Sequence, residues 1–286
     1  MKILANNNRY VTQKITYPLR KINFSLILIS CFTFFNCKQS DPVEIEFTLV
    51  WEDQFDGTEI DPEKWEFQVG DGANVGLWGW GNNEKQYYRK ENARISNGKL
   101  LIKAVAEELK NYKYTSARLR TKEKADFKYG KIEAMIRMAN TKGLWHAFWL
   151  LPSNPSSNWP ISGEIDIMEY VGNSPDEILN TLHFADKFDN HQYIESSTPY
   201  IQDKEFHLYG IEWDENKIIW YFDDKETFRV IRSNASISKT WPFDAEFHLL
   251  LNTAVGGNLG GEIDSSSLVK PKYMEVDYVK VYQKLK

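Results

Sequence analysis

Cysteine is nearly missing from this 286-residue chain, which has only Cys31 and Cys37, both in or beside an apolar N-terminal stretch. No disulfide can staple the remainder of the chain, so a folded body there must be held by its core, which a chain of this length can build. Metal patterns are equally scarce: the five histidines form no sequence cluster and there is no Cys-x-x-Cys spacing, so nothing signals zinc. Clusters of lysine and arginine are absent from the body of the chain and the net charge is −5, which argues against a nucleic-acid partner. No apolar run reaches the about 20 residues of a membrane-spanning helix. Long helical periodicity and internal repeats are missing as well. Aromatic side chains, in contrast, are plentiful at 14%, with 10 tryptophans. An acidic, tryptophan-rich chain suits a neutral polysaccharide better than a polyanion, because aromatic rings offer flat apolar surfaces with a polar edge.

The first residues differ from the rest. Lys2, Arg9, Lys14, Arg20 and Lys21 lead into the apolar stretch Phe24–Phe35, the basic-then-apolar order of an export signal. Cys37 stands where a bacterial lipoprotein is cleaved and lipidated, and Lys38-Gln39-Ser40-Asp41 begins a polar tether. Phe34 and Asn36 depart from the usual small-residue pattern, so plain secretion or a retained anchor stays open. The expected organisation is an export signal of lipoprotein type over 1–37, a linker over 38–48 and a single domain over 49–286. The protein is then exported, either as a cell-envelope lipoprotein at the outer membrane or cell surface or as a secreted one. Its only membrane contact is a lipid at Cys37.

Strand signals recur along the body: Lys99–Ala106, Gly130–Met138, His146–Leu151, Gly163–Val171, Ile178–Ala185, Phe206–Trp213, Lys217–Phe222, Thr227–Ile231, Phe247–Ala254 and Met274–Gln283. In the second, Ile132, Ala134, Ile136 and Met138 alternate with Lys131, Glu133, Met135 and Arg137, the period of a sheet with one buried face. Asp214-Glu215-Asn216 and Asp223-Asp224 supply hairpin turns. Such short strands and turns imply an all-β fold, a β-sandwich of two antiparallel sheets of jelly-roll type.

One of these strands is chemically odd. Glu164, Asp166 and Glu169 stand among Ile165, Ile167 and Met168, and carboxylates crowded on one strand repel each other and raise each other's pKa. Such crowding usually serves proton chemistry. Alternation puts Glu164 and Asp166 on one face and Glu169 on the other, unless an extra residue, most simply Met168, forms a β-bulge that returns Glu169 to the first face. The two glutamates would then be separated by roughly 13 Å at Cα, over four steps of about 3.3 Å. Side chains leaning inward can narrow this to the about 5–5.5 Å that a retaining glycosidase requires.

Tryptophans surround this strand in sequence. Trp78, Trp80 and Asn82 lie in a Gly-rich segment, Gly76–Tyr88, that reads as a loop offering ligand contacts. Trp145 and Trp149 share a face of the neighbouring strand, where either could serve the site or the core. Trp65, Trp213 and Trp220 read as structural, and His191, His207 and His248 receive no role.

The stretch Gly163–Glu169 resembles the signature of glycoside hydrolase family 16, in the bulge-containing form of laminarinase-like enzymes that hydrolyse β-1,3-glucans. Tyr114–Leu119, Tyr129–Ala134, Gly143–Pro152, Thr181–His183, Trp241–Asp244, Asn252–Gly257 and Val276–Tyr282 resemble family segments in the expected order. His146 and Ala117 are departures, standing where relatives often have proline and glycine, and His146 is expected near the cleft floor. The resemblance implies a concanavalin-like jelly roll with an open glycan cleft and a retaining endo-β-1,3-glucanase acting on laminarin-type glucan. In it Glu164 is the nucleophile, Glu169 the general acid and base, and Asp166 the residue that tunes them. It further implies substrate contacts from Trp159, Trp241, Arg118, Asn252 and His183. Catalysis needs no cofactor, while a structural calcium would sit on Asp277 with backbone carbonyls near Glu52 and at Gly98. A monomer is expected. Action on mixed-linkage glucan or a marine galactan stays open, as does a glycan-binding lectin on the same sandwich.

Overall fold

The computed structural model describes residues 47–233, 237 and 239–284; the expected export signal, Cys37 and the expected linker up to residue 46 lie outside the described residues. Alternating strands pair into two sheets that face each other across one core. The first runs His191–Pro199, Glu177–Ala185, Glu164–Val171, Leu144–Pro152, Phe247–Val255, Arg118–Arg120 and Glu66–Phe67, with Asp126–Phe127 on the edge of Phe247–Val255. The second runs Lys225–Ile231, Lys217–Phe222, His207–Trp213, Gly130–Met138, Lys272–Lys284, Leu100–Leu109, Tyr112–Ser116 and Gln86–Tyr88. Phe47–Asp53 joins it along Lys272–Lys284, so Phe47 and Thr48, the last two residues of the expected linker, are in a strand.

Pairing is antiparallel throughout except between Gln86–Tyr88 and Tyr112–Ser116, which run parallel. Among the described residues helical turns are short, with one four-residue α-turn at Gly257–Gly260. The expected sandwich is therefore present. The inner faces obey the period-2 rule: Ile132, Ala134 and Ile136 from one sheet and Phe148, Leu150, Ile165, Leu182, Leu249 and Leu251 from the other belong to one buried cluster. Truncating any one of the large side chains to alanine would cost about 2–5 kcal/mol in transfer and cavity terms. The three expected structural tryptophans, Trp65, Trp213 and Trp220, are buried in it.

This core fixes the site by exclusion. Each inward isoleucine on the acid strand forces its neighbours onto the outer face of the first sheet, where loops and aromatic side chains cover them.

Candidate active site

The acid strand is bulged as its sequence requires. Against Glu177–Ala185, Asp166 pairs with Thr181 and Glu169 with Leu179, so Ile167 and Met168 together oppose the single residue Asn180. Against Leu144–Pro152, Met168 pairs with Phe148 and Asp166 with Trp149, which leaves Ile167 as the unmatched residue. The extra residue is thus Ile167 on that side, in place of the expected Met168. Both side chains turn into the core, together with Ile165 and Tyr170. Glu164, Asp166 and Glu169 consequently share the outer face.

A bulge interrupts the ladder and frees carbonyls that must find donors. Two are supplied. Trp220 Nε1, from the opposite sheet, donates across the core to Asp166 O at 2.8 Å, and Asn180 Nδ2 donates to Ile167 O at 2.8 Å. Trp220, expected only to fill the core, therefore also holds the kink on which the acid geometry rests.

Each carboxylate has its own support. Trp159 Nε1 donates to Glu164 Oε2 at 2.6 Å, and Trp145 Nε1 donates to Glu169 Oε1 at 3.0 Å, with Thr181 Oγ1 3.4 Å from Oε2. Between them Asp166, only 2% exposed, lies with Oδ2 3.3 Å from His183 Nε2. Burial pushes all three acids upward. Glu164 is raised to about 8, by desolvation first and the Asp166 charge second, while His183, the Trp159 N–H and Arg118 favour its ionised form. Glu169 is raised well above the ordinary carboxylate range, by desolvation first, then by Asp166, and by Glu164 as well. Asp166 is raised by desolvation and eased by its hydrogen bond with Glu164. Glu164 is only half-buried and its charge raises Glu169, so of the two glutamates it loses its proton first and then holds the proton on Glu169. Neighbouring carboxyls of unequal proton affinity form the pattern of an acid and a nucleophile side by side.

The family model for glycosyl hydrolases family 16 matches residues 79–279. A β-glucanase of Rhodothermus marinus is 39% identical over 286 residues, covering 94% of this chain and 96% of its own. A glucan endo-1,3-β-glucosidase A1 of Niallia circulans is 34% identical over 85% of this chain, which spans 39% of that relative's length. In structure, the laminarinase catalytic domain of Thermotoga maritima superposes with a TM-score of 0.78 at 36% identity, covering 84% of this chain and all of that one. The chain belongs to glycosyl hydrolase family 16. It is a glycoside hydrolase.

Around the family 16 acids the structure sorts the expected contact residues. Trp145 and Trp149 do share a face, both half-buried, the first on Glu169 and the second donating to Asn252 Oδ1 at 2.8 Å. Asn252 Nδ2 in turn donates to Tyr88 OH at 3.2 Å, and Tyr88 OH to Glu84 Oε2 at 2.9 Å. Arg118 is clamped between Trp80 and Trp149, its guanidinium carbon 4.6 and 4.7 Å from the two ring centroids, and Nε donates to Gln68 Oε1 at 2.6 Å. Glu84, 4% exposed, provides the balancing charge, and burial nevertheless raises its pKa. Trp80, Arg118, Trp149, Asn252, Tyr88 and Glu84 are thus one packed unit beside the acids.

Trp80 and Trp241 differ from the expected open sugar platforms. Trp80 is 5% exposed, packed against Arg118 and at a tilt against Tyr88, with Nε1 donating to Gly70 O at 3.2 Å. Trp241 is 7% exposed and packs edge-on against Phe243. The exposed ring of the Gly-rich loop is Trp78, at 61%. Asn82 is half-buried, and its carbonyl accepts from Asn258 N at 2.7 Å, tying that loop to the Gly257–Gly260 turn. His146 points inward and not to the cleft floor: it is fully buried, contacts Thr253 Oγ1 and Ala139 O, stacks on Tyr170, and is held neutral by burial with a pKa lowered to about 4.

His183 joins the acids as expected, and it brings His191, to which the sequence assigned no role. His183 Nδ1 and His191 Nε2 are 2.9 Å apart, and His191 lies 4.6 Å from the Trp159 ring. Both histidines sit on adjacent antiparallel strands, His183 opposite Tyr193 and His191 opposite Ala185. The available signal was the turn between them: Asp186 Oδ1 accepts from Phe188 N and Asn190 N, an Asp-led hairpin.

The residues expected to hold a calcium have other partners. Lys99 Nζ lies 3.3 Å from Asp277 Oδ1, beside Gly98, and Lys64 Nζ donates to Glu52 O at 2.8 Å. Ammonium groups thus stand on two of the three expected donors, and a dication there would have to displace Lys99.

Proposed function

We propose that this family 16 hydrolase cleaves internal β-1,3 linkages of laminarin-type glucan with retention. The observation that carries the reading is the convergence of Glu164 and Glu169 on one face through the Ile167–Met168 bulge, each held by its own indole donor. Glu164, ionised before Glu169, attacks the anomeric carbon and forms a glycosyl ester. Glu169 gives its proton to the departing oxygen. It then takes a proton from water, whose oxygen attacks the anomeric carbon and breaks its bond to the Glu164 carboxyl oxygen, freeing Glu164. Asp166 keeps both glutamates high in pKa so that one proton remains available between them. The β-1,3 preference is supported by relatives named for endo-1,3-β-glucan cleavage and by the laminarinase fold match.

Reducing-sugar release from laminarin, mixed-linkage glucan and agar-type galactan, with NMR of the first-formed anomer, tests this. Laminarin cleavage to β-anomers is expected; release only from another glycan, or binding without release, would replace the reading. Export, lipidation at Cys37 and a monomeric state belong to the same proposal. Incorporation of a palmitate analogue, abolished by Cys37→Ser, and the sedimentation mass check them. A calcium on Asp277 with the carbonyls of Glu52 and Gly98 is also proposed, on the family resemblance alone. A melting temperature raised by calcium and lowered by chelator would support it.

A further inference from the structure

Asp166 Oδ2 is buried without a hydrogen-bond partner, although His183 Nε2 is 3.3 Å away. That contact does not meet hydrogen-bond geometry, so Oδ2 remains an unpartnered buried acceptor. Among the described residues, Glu164, Asp166 and His183 form a group whose donor atoms all lie within 4.8 Å of one another. A separation of 3.3 Å matches the edge of a tetrahedron around an ion with bonds of about 2.0 Å, since the edge is about 1.63 times the bond. Trp159 engages Glu164 Oε2, which leaves Oε1 available as the third donor.

Beyond these three, His191 Nε2 at 2.9 Å from His183 Nδ1 can accept the proton that a metal-bound imidazole carries on its other nitrogen. Two carboxylates and an imidazole suit a borderline dication and not calcium or magnesium, which prefer oxygen alone. Three crowded acids, two of them buried, also repel one another, and a dication relieves that repulsion.

We propose that Glu164, Asp166 and His183 bind zinc or copper(II) in the substrate-free enzyme, with His191 orienting His183, and that the ion reversibly blocks hydrolysis by occupying the nucleophile. The blocking half rests on Glu164 being the nucleophile; the binding half does not, and it is read separately. Chelator-stripped, wild-type enzyme titrated with zinc chloride in a calorimeter should bind one ion at this site, with magnesium chloride giving no heat. His191→Phe should weaken zinc by about 10–100-fold, and His183→Phe by more. Zinc-soaked crystals of the wild type should show an anomalous peak at bonding distance from His183 Nε2, which decides the matter even if a variant fails to fold. Zinc should inhibit laminarin hydrolysis in competition with substrate, and EDTA should restore it. Absence of stoichiometric binding, undiminished affinity in a folded His183→Phe, or a peak elsewhere would overturn the site. Tight binding at the peak with undiminished hydrolysis would overturn the block.

Discussion

Trp145→Phe isolates one hydrogen bond of the proposed mechanism. The substitution keeps an aromatic ring on the Leu144–Pro152 strand and removes, with the second ring of the indole, the N–H that donates to Glu169 Oε1 at 3.0 Å. Glu169 is 7% exposed, and its other oxygen has only the long Thr181 contact at 3.4 Å. As Glu169 releases its proton to the leaving oxygen it becomes a buried anion, so this donor grows more valuable toward the transition state. A hydrogen bond to a charged group contributes about 1.5–3 kcal/mol, which corresponds to a fall of roughly 10- to 150-fold in kcat/KM. The proton balance shifts too. A donor that favours the carboxylate lowers the pKa of Glu169, so its removal moves the alkaline limb of the pH profile to higher pH. Initial rates on reduced laminarin oligosaccharides across pH measure both effects. A variant within twofold of wild type, or one whose alkaline limb stays put or moves down, would refute the acid role of Glu169.

Other outcomes rest on the same contacts. The acid limb of kcat/KM should lie well above the ordinary glutamate range, because Glu164 must ionise and its pKa is raised to about 8; a limb within that ordinary range would show that the acids do not share one desolvated site. The raised acids also cost stability as pH increases, since a group whose folded pKa exceeds its unfolded one stabilises fully below the unfolded pKa and loses that contribution as pH rises through the folded pKa. Glu169→Gln should therefore melt about 2–6 °C above wild type at pH 8 and show no gain at pH 4 by calorimetry. Trp220→Phe, which strips the donor from Asp166 O, should cost about 1–3 kcal/mol in urea unfolding and lower kcat more than a core substitution far from the bulge. Arg118→Met, which leaves Glu84 buried without its cation, should cost about 3–5 kcal/mol near neutral pH, with a smaller deficit at low pH where Glu84 is protonated.

Much of the fold was legible in residue pattern. Gly130–Met138 was readable to the residue because burial on one face dictates alternation, and Lys217–Phe222 because its apolar run is bounded by the Asp214-Glu215-Asn216 and Asp223-Asp224 turns. The bulge was legible for the opposite reason: three carboxylates could not be divided between a core and a site. His191–Pro199 was not, because it is an edge strand whose side chains are exposed or half-buried, so no apolar period marks it. Missing that strand meant missing His191, whose role depends on register across a hairpin and not on its neighbours. Tryptophan fates were likewise hidden. Trp78 and Trp80 are two residues apart in one glycine loop, yet one is exposed and the other clamps Arg118, because Trp80 takes a positive φ of 53° that turns it under the loop. His146 was misplaced for a simpler reason: its neighbours Trp145 and Ala147 face outward, so alternation sends it inward.

Double displacement through Glu164 is tested by removing the nucleophile and offering another. Glu164→Ala should hydrolyse laminarin oligosaccharides at a rate lowered by several orders of magnitude. With an activated β-glucosyl donor and added azide, it should regain turnover and yield the α-glycosyl azide, inverted at the anomeric carbon because the small anion enters the space Glu164 vacates. Activity near wild type without azide, or a rescued product of β configuration, would contradict the assignment of Glu164 and with it the double displacement.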